Sequence, residues 1–230
     1  MKVLFLQPPL GAWSIFGKHK VINVAHAQLS ANIREWYPKI KIFVLDCRAL
    51  DMNEEDMIKA ISEIEPDLIY MGDALQTTGV AAIHPRYKKA AKLIKESKIK
   101  AKICVGGFFY GANAPWILSS TPEFDFIIYG ETEITLPELA NELSKSDPDI
   151  ESIKGICFWN NNEVKITPYR ELIENLDELP LPAYDLFPMD KYVGFTYISP
   201  YVETYSSRGC PNGCKFCVGW TNYDPRGNKD

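Results

Sequence analysis

Leu68-Ile69-Tyr70-Met71-Gly72 is the stretch on which the fold turns. It is a short, unbroken apolar run, as expected of a strand covered on both faces. Pro66 stops whatever precedes it, and Gly72-Asp73-Ala74-Leu75-Gln76-Thr77-Thr78-Gly79 is a small, polar turn after it. Similar runs lie on either side. Lys2–Gln7 and Lys41–Asp46 come before it; Lys102–Val105 and Phe126–Tyr129 come after. Between them are helical patterns. Val21–Trp36 carries apolar residues at helical spacing and stops at Pro38. Asn53 is an N-cap for a helix through Ile64, with Glu54, Glu55 and Asp56 at its positive end. A basic amphipathic helix covers roughly residues 85–97; Pro85 leaves an earlier start near Thr78 open. A short helix is expected from Pro115 and a last one over Leu136–Leu143. Five strands alternating with helices make a doubly wound, flavodoxin-like parallel sheet over residues 1–145.

Residues 146–196 change character. Gly155–Trp159 and Glu163–Thr167 flank Asn160-Asn161-Asn162 and read as a β-hairpin. The proline-spaced segment Leu176-Asp177-Glu178-Leu179-Pro180-Leu181-Pro182-Ala183-Tyr184-Asp185 reads as an ordered linker draped over a surface. Tyr201–Ser206 reads as a strand and opens a third unit, residues 197–230.

Composition narrows the classes. Of 230 residues, 46% are hydrophobic and 24% charged, and the net charge is −5, so nothing electrostatic points to nucleic acid or an anionic membrane. No apolar run approaches the length of a membrane span, and the N-terminal run breaks at Pro8-Pro9. Cys47, Cys104 and Cys157 sit in strand-like runs and read as small core residues. This cysteine usage implies a reducing, oxygen-poor cytoplasm.

The other three cysteines carry chemistry: Ser207-Arg208-Gly209-Cys210-Pro211-Asn212-Gly213-Cys214-Lys215-Phe216-Cys217. Pro211, Asn212 and Gly213 force a turn, so Cys210, Cys214 and Cys217 can wrap one soft metal centre. No histidine follows His84 and no cysteine follows Cys217. A closed structural zinc site needs four ligands, whereas a three-cysteine site suits a [4Fe-4S] cluster with one iron left open. Arg208 and Lys215 are expected to favour the thiolates by their charge. A zinc site that borrows Cys157 or a partner's ligand, and a cluster used only for electron transfer, remain as alternatives. At the strand ends, Leu10, Gly11, Gly72, Thr77, Thr78, Gly106, Gly107, Gly130 and Glu131 are small or polar, and a large flat ligand could approach the backbone there. Structural turns are the plainer reading. Phe108-Phe109-Tyr110 could pack on that ligand or fill the core.

The spacing Cys210-x3-Cys214-x2-Cys217, with Phe216 before the last cysteine, resembles the radical S-adenosylmethionine (SAM) superfamily. The order of an α/β unit, Gly130-Glu131, a hairpin, the linker over residues 175–187 and the cysteine loop is similar to that of the cobalamin (B12)-binding radical SAM family. That resemblance implies a cluster on Cys210, Cys214 and Cys217, SAM on the open iron with Phe216 near its adenine, and cobalamin at the strand ends. It implies reductive cleavage of SAM to a 5′-deoxyadenosyl radical and methyl transfer to an unactivated centre, with ring formation and other rearrangements as near alternatives. The expected partners are an electron donor and a small-molecule or peptide substrate. The family's Asp-x-His-x-x-Gly is missing after the first strand, where Gln7-Pro8-Pro9-Leu10-Gly11 stands, so cobalamin is expected without a histidine ligand. His19 and His26 read as surface or helix-face residues, and His84 as a turn residue. Only 13 residues follow Cys217 (230 − 217), too few for a β/α barrel of roughly 200 residues. The chain is therefore expected to hold the B12-type domain and the barrel's first strand, as a fragment or beside a separate barrel-bearing chain. A non-catalytic cobalamin-binding or sensing module, or a radical SAM protein whose first domain binds no B12, would share these features.

Overall fold

The computed structural model describes residues 1–9, 20–72, 80–194 and 198–209, with the backbone alone at 80–82. Strands β1 (Lys2–Gln7), β2 (Lys41–Asp46), β3 (Leu68–Gly72), β4 (Lys102–Gly106) and β5 (Phe126–Ile128) are parallel. The hairpin strands β6 (Ile156–Asn160) and β7 (Glu163–Ile166), grouped by sequence with the linker, continue the same sheet, β6 pairing antiparallel with β5. The order is β2-β1-β3-β4-β5-β6-β7, and its first five places are the flavodoxin-like order expected. Asn161 and Asn162, at φ 49° and 66°, supply the two left-handed residues of the hairpin turn.

Alternation along each strand divides the core. Leu4, Leu6, Ile69, Met71, Ile103 and Val105 face α2 (Glu54–Ile64), α3 (Val80–Glu96), α4 (Phe108–Ala112) and α5 (Ala114–Ser120). Val3, Phe5, Leu68, Tyr70 and Cys104 face α1 (Val24–Trp36) and α6 (Thr132–Leu143). All five central runs are apolar because both faces are covered.

Local chemistry sets the helix starts. Asn23 caps α1 by accepting from His26 N–H at 3.2 Å, three residues later than the pattern suggested. Asn53 and Asp56 form a reciprocal capping box on α2. Two helices run through a proline. Pro85 lies inside α3, which thus starts at Val80; His84 is a helical residue and not a turn residue. The cost of an interior proline, about 3 kcal/mol, is offset by burial of Tyr87, Ala90, Ala91 and Ile94 on the same helix. Pro137 lies inside α6 and cannot donate to the carbonyl of Glu133. Asn32 of α1 fills the vacancy, its Nδ2 donating to that carbonyl at 2.9 Å.

The linker lies on α1. Ala183 N–H donates to Ala27 O at 2.9 Å, and Gln28 Nε2 donates to Pro180 O at 2.7 Å. Phe187 and Tyr192 are buried against Ile22, Val24, Ala27 and Ala49. The expected strand over Tyr201–Ser206 is not formed: these residues are irregular and pair with no strand among the described residues. A strand needs a partner for its backbone groups, and here Tyr184 OH takes the carbonyl of Glu203 instead, at 2.7 Å. No helix among the described residues is long and apolar enough to cross a membrane.

Candidate functional site

The parallel strands end level with one another. Gln7 pairs with Asp46, and Gly72 pairs with Gly106. In open α/β sheets this carboxyl edge is where ligands bind. At its centre the Gly72 peptide is held from both sides. His26 Nε2 accepts its N–H at 3.1 Å, while Tyr87 OH and Asn23 Nδ2 donate to its carbonyl at 2.8 and 3.1 Å. His26 is therefore not a surface residue. It is fully buried, and burial pulls its pKa down to about 3, only partly opposed by the Gly72 hydrogen bond. A neutral imidazole whose Nε2 already accepts a hydrogen bond cannot also ligate a metal through that nitrogen.

Gly72 and Gly106 are small because a neighbouring ring needs their space. The ring of Tyr70 lies over both. A Cβ on Gly72 would stand 2.6 Å from Tyr70 Cε1 and Oη, and one on Gly106 would stand 2.7 Å from Oη. Tyr70 is itself buried, with its ring against Phe5 and His26. The edge at β3 and β4 is thus closed by the protein's own tyrosine. Gly107, at φ 103°, turns the chain from β4 into α4. In the aromatic run behind it, Tyr110 stacks on Tyr87 at 5.9 Å inside the core, and Phe109 meets Tyr110 edge-on. His84 packs near Phe109, Tyr110 and Phe124, and burial lowers its pKa.

At the end of β2, Asp46 is buried. Its Oδ1 accepts from Ala49 N–H and its Oδ2 from Tyr192 OH, each at 2.9 Å. Burial raises its pKa against these two donors. The coupling pushes the Tyr192 phenol far up as well, through desolvation and the facing carboxylate.

The exit of β5 carries the densest charge. Gly130, at φ 75°, turns under the ring of Tyr169. Glu131, the N-cap residue of α6, divides its carboxylate: Oε2 accepts from Ile173 N–H at 2.6 Å and Oε1 from Arg208 at 2.9 Å. The second arm of Arg208 reaches Glu133. The three side chains are only 11–21% exposed. Desolvation works against the guanidinium charge, but Glu133 and Glu131 outweigh it and raise the Arg208 pKa. Arg208 was expected as a positive charge for the thiolates. Its charge is matched by two carboxylates, because α6 brings both within reach; the thiolates themselves lie outside the described residues. Gly209 follows at φ 93° with open space around it, so backbone conformation and not crowding calls for glycine.

Leu10, Gly11, Thr77, Thr78, Cys210, Cys214, Lys215, Phe216 and Cys217 lie outside the described residues. Among the described residues no group of three or more His, Cys, Asp and Glu could hold a metal. Donor chemistry still narrows the cysteine site. Cys47, Cys104 and Cys157 are fully buried in the core. Burial pushes their thiols up, to about 12 for Cys47, well above the ordinary value for Cys104, and to about 11 for Cys157. Cys157 is paired between Ile127 and Ile166 inside the sheet, which makes it a poor fourth ligand for a borrowed-cysteine zinc site. The three loop cysteines fit a cluster with one open iron. At the sheet edge the described polar groups around Gly72 satisfy one another, and Tyr70 covers Gly72 and Gly106. His26 is engaged, and His84 lies within α3. Asn23, Tyr87, Tyr192 and Glu133 were not singled out from sequence; each acts through a partner more than a dozen positions away.

No family model matches the chain. It is 32% identical to an uncharacterized methyltransferase of Pyrococcus horikoshii over 98% of its own length and 47% of that protein's. It is 24% identical to the anaerobic magnesium-protoporphyrin IX monomethyl ester cyclase of Synechocystis, over 95% of the chain and 40% of the cyclase. Its fold matches that of OxsB, a cobalamin-dependent S-adenosylmethionine radical enzyme solved with aqua-cobalamin and S-adenosylmethionine bound. There the TM-score is 0.61 at 19% identity, over 80% of this chain and 24% of OxsB. The chain spans about half the length, or less, of the curated relatives it matches.

Proposed function

Since the chain is a relative of the cobalamin-binding radical SAM proteins, we propose that it supplies the cobalamin-binding-type domain and the cluster loop of such an enzyme. Methyl transfer is the reaction class we favour, with ring formation as the alternative that the cyclase suggests. One observation carries the reading: the match to the methyltransferase runs over 98% of the chain, so it takes in the sheet, the linker and the cysteine loop together.

When bound, the cluster with SAM would supply reductive carbon–sulfur cleavage, and cobalamin would supply a cobalt able to carry a methyl group. The chain's own part is to bind and orient. Cys210, Cys214 and Cys217 would hold the cluster, with Phe216 beside the adenine of SAM. The edge residues Leu10, Gly11, Gly72, Thr77, Thr78, Gly106, Gly107, Gly130 and Glu131 would frame the corrin. Tyr70 over Gly72 and Gly106 narrows the direct corrin contact to the positions around them. His26 is not available as a cobalt ligand through Nε2, because that nitrogen accepts from Gly72 N–H. An electron donor and a substrate complete the proposed reaction.

Titrating the whole chain with hydroxocobalamin under oxygen-free conditions without added reductant, against a protein-free blank, tests the domain assignment. A saturable change in the corrin absorption spectrum is expected at one equivalent. An unchanged spectrum, with the chain folded by circular dichroism, would overturn it.

A further inference from the structure

We infer that Arg208 is a positioning residue that pins the entrance of the cysteine loop to the N-terminus of α6 and, with Glu131 and Glu133, sets the charge beside the cluster. The inference rests on the cluster reading of Cys210, Cys214 and Cys217.

Three observations carry it. First, Arg208 is bidentate across two carboxylates, 2.9 Å from Glu131 and in contact with Glu133, and all three side chains are mostly buried. A buried ion group of this kind adds little net stability because desolvation consumes the Coulombic gain; what it fixes is geometry. Second, Glu131 is already committed to Ile173 N–H, so one carboxylate ties the exit of β5, the segment after the hairpin and the approach to the cysteines. Third, residues 198–209 form no strand, so no sheet ladder holds this approach in register. The side-chain tie does that work, and Gly209 then turns the chain toward Cys210, two residues beyond Arg208.

The group carries one positive and two negative charges, a net −1. Negative surroundings disfavour adding an electron, so the potential of a nearby cluster follows this sum. Glu133→Gln brings the sum to 0, Arg208→Gln to −2, and the double variant back to −1.

Two readouts on the 230-residue chain test the inference. The first needs no cluster. Trypsin must extract Arg208 to cut before Gly209, so cleavage there should be slow, and Glu133→Gln should speed it about tenfold or more. Cleavage as fast as at the chain's exposed lysines, and unaffected by Glu133→Gln, would overturn the tie. The second is the midpoint potential after anaerobic reconstitution. Glu133→Gln should raise it, Arg208→Gln should lower it, and the double variant should return towards the parent. Shifts of the same sign in both single variants would mean a merely loosened loop and would overturn the positioning role. If Arg208→Gln does not fold, Arg208→Lys keeps the charge and should leave the potential near the parent's; a shift as large as that of Glu133→Gln would count against the inference. Iron and sulfide are assayed in the same samples. A parent chain without iron sinks the cluster reading and leaves the trypsin result standing.

Discussion

The hydroxyl of Tyr192 donates to Oδ2 of Asp46 at 2.9 Å across 146 positions of sequence. The bond fastens the end of the linker to the carboxyl end of β2, and both partners are buried. Tyr192→Phe leaves a buried carboxylate with one donor fewer and should cost about 1–3 kcal/mol. Asp46→Asn keeps an acceptor for Ala49 N–H and removes a charge that burial disfavours, so it should cost less than Tyr192→Phe. Urea midpoints of the two variants and of their combination check this; equal losses would contradict it.

His26 gives the fold an acid limit. Its pKa is about 6.5 when unfolded and about 3 when folded. Above pH 6.5 both states hold it neutral and its packing is fully expressed. As pH falls from there towards 3, the unfolded chain takes a proton that the folded chain refuses. Stability is then lost at up to about 1.4 kcal/mol per pH unit. Asp46 acts oppositely: its raised pKa lets the folded state keep a proton longer, so its contribution falls as pH rises from 3.8. His26→Gln, which can still accept from Gly72 N–H, should flatten the loss between pH 6.5 and 4. Urea midpoints across that range, compared with the parent, read it.

Asn32 and Pro137 form a compensated pair. Asn32→Leu strips the donor from the Glu133 carbonyl, which Pro137 cannot replace. The expected cost is about 1–3 kcal/mol. Adding Pro137→Ala restores an N–H four residues from Glu133 and should recover part of the loss. A thermal midpoint that does not recover would contradict the pairing.

Tyr70 explains two glycines, and the two should respond differently to its truncation. Gly72→Ala meets Cε1 and Oη at 2.6 Å, whereas Gly106→Ala meets chiefly Oη, at 2.7 Å. Each should cost about 1–3 kcal/mol by overpacking. Tyr70→Phe removes only the oxygen, so it should relieve Gly106→Ala and leave Gly72→Ala largely unrelieved. Equal relief would place the crowding elsewhere.

Much of this architecture was legible from residues alone, and the misses have physical causes. Apolar runs such as Leu68–Gly72 marked the central strands because both faces are buried, and Asn53 marked its helix because capping is local. The helices through Pro85 and Pro137 were obscured because their lost hydrogen bonds are made good by packing or by a distant side chain, Asn32. Tyr201–Ser206 carries strand-like residues but has no partner strand among the described residues. His26 lies on a helix face, one of its two expected places, but a histidine there looks the same from sequence whether it meets water or Gly72. The Tyr70–Gly72 relation was readable in principle: residues two apart on a strand share a face, and a large ring beside a glycine is a usable signal. Arg208 was noticed for its charge, but its partners Glu131 and Glu133 lie 77 and 75 positions away, beyond any local pattern.

The most direct test of the account is the metal held by the cysteine loop. The 230-residue chain, reconstituted anaerobically with iron and sulfide and then desalted, should retain about four iron and four sulfide per chain, with the absorption and reduced-state electron paramagnetic resonance of a [4Fe-4S] cluster. Replacing Cys210, Cys214 and Cys217 by alanine should abolish both, while replacing Cys157 should not. A parent chain that binds zinc in preference to iron, or iron that survives loss of the three loop cysteines, would contradict the account.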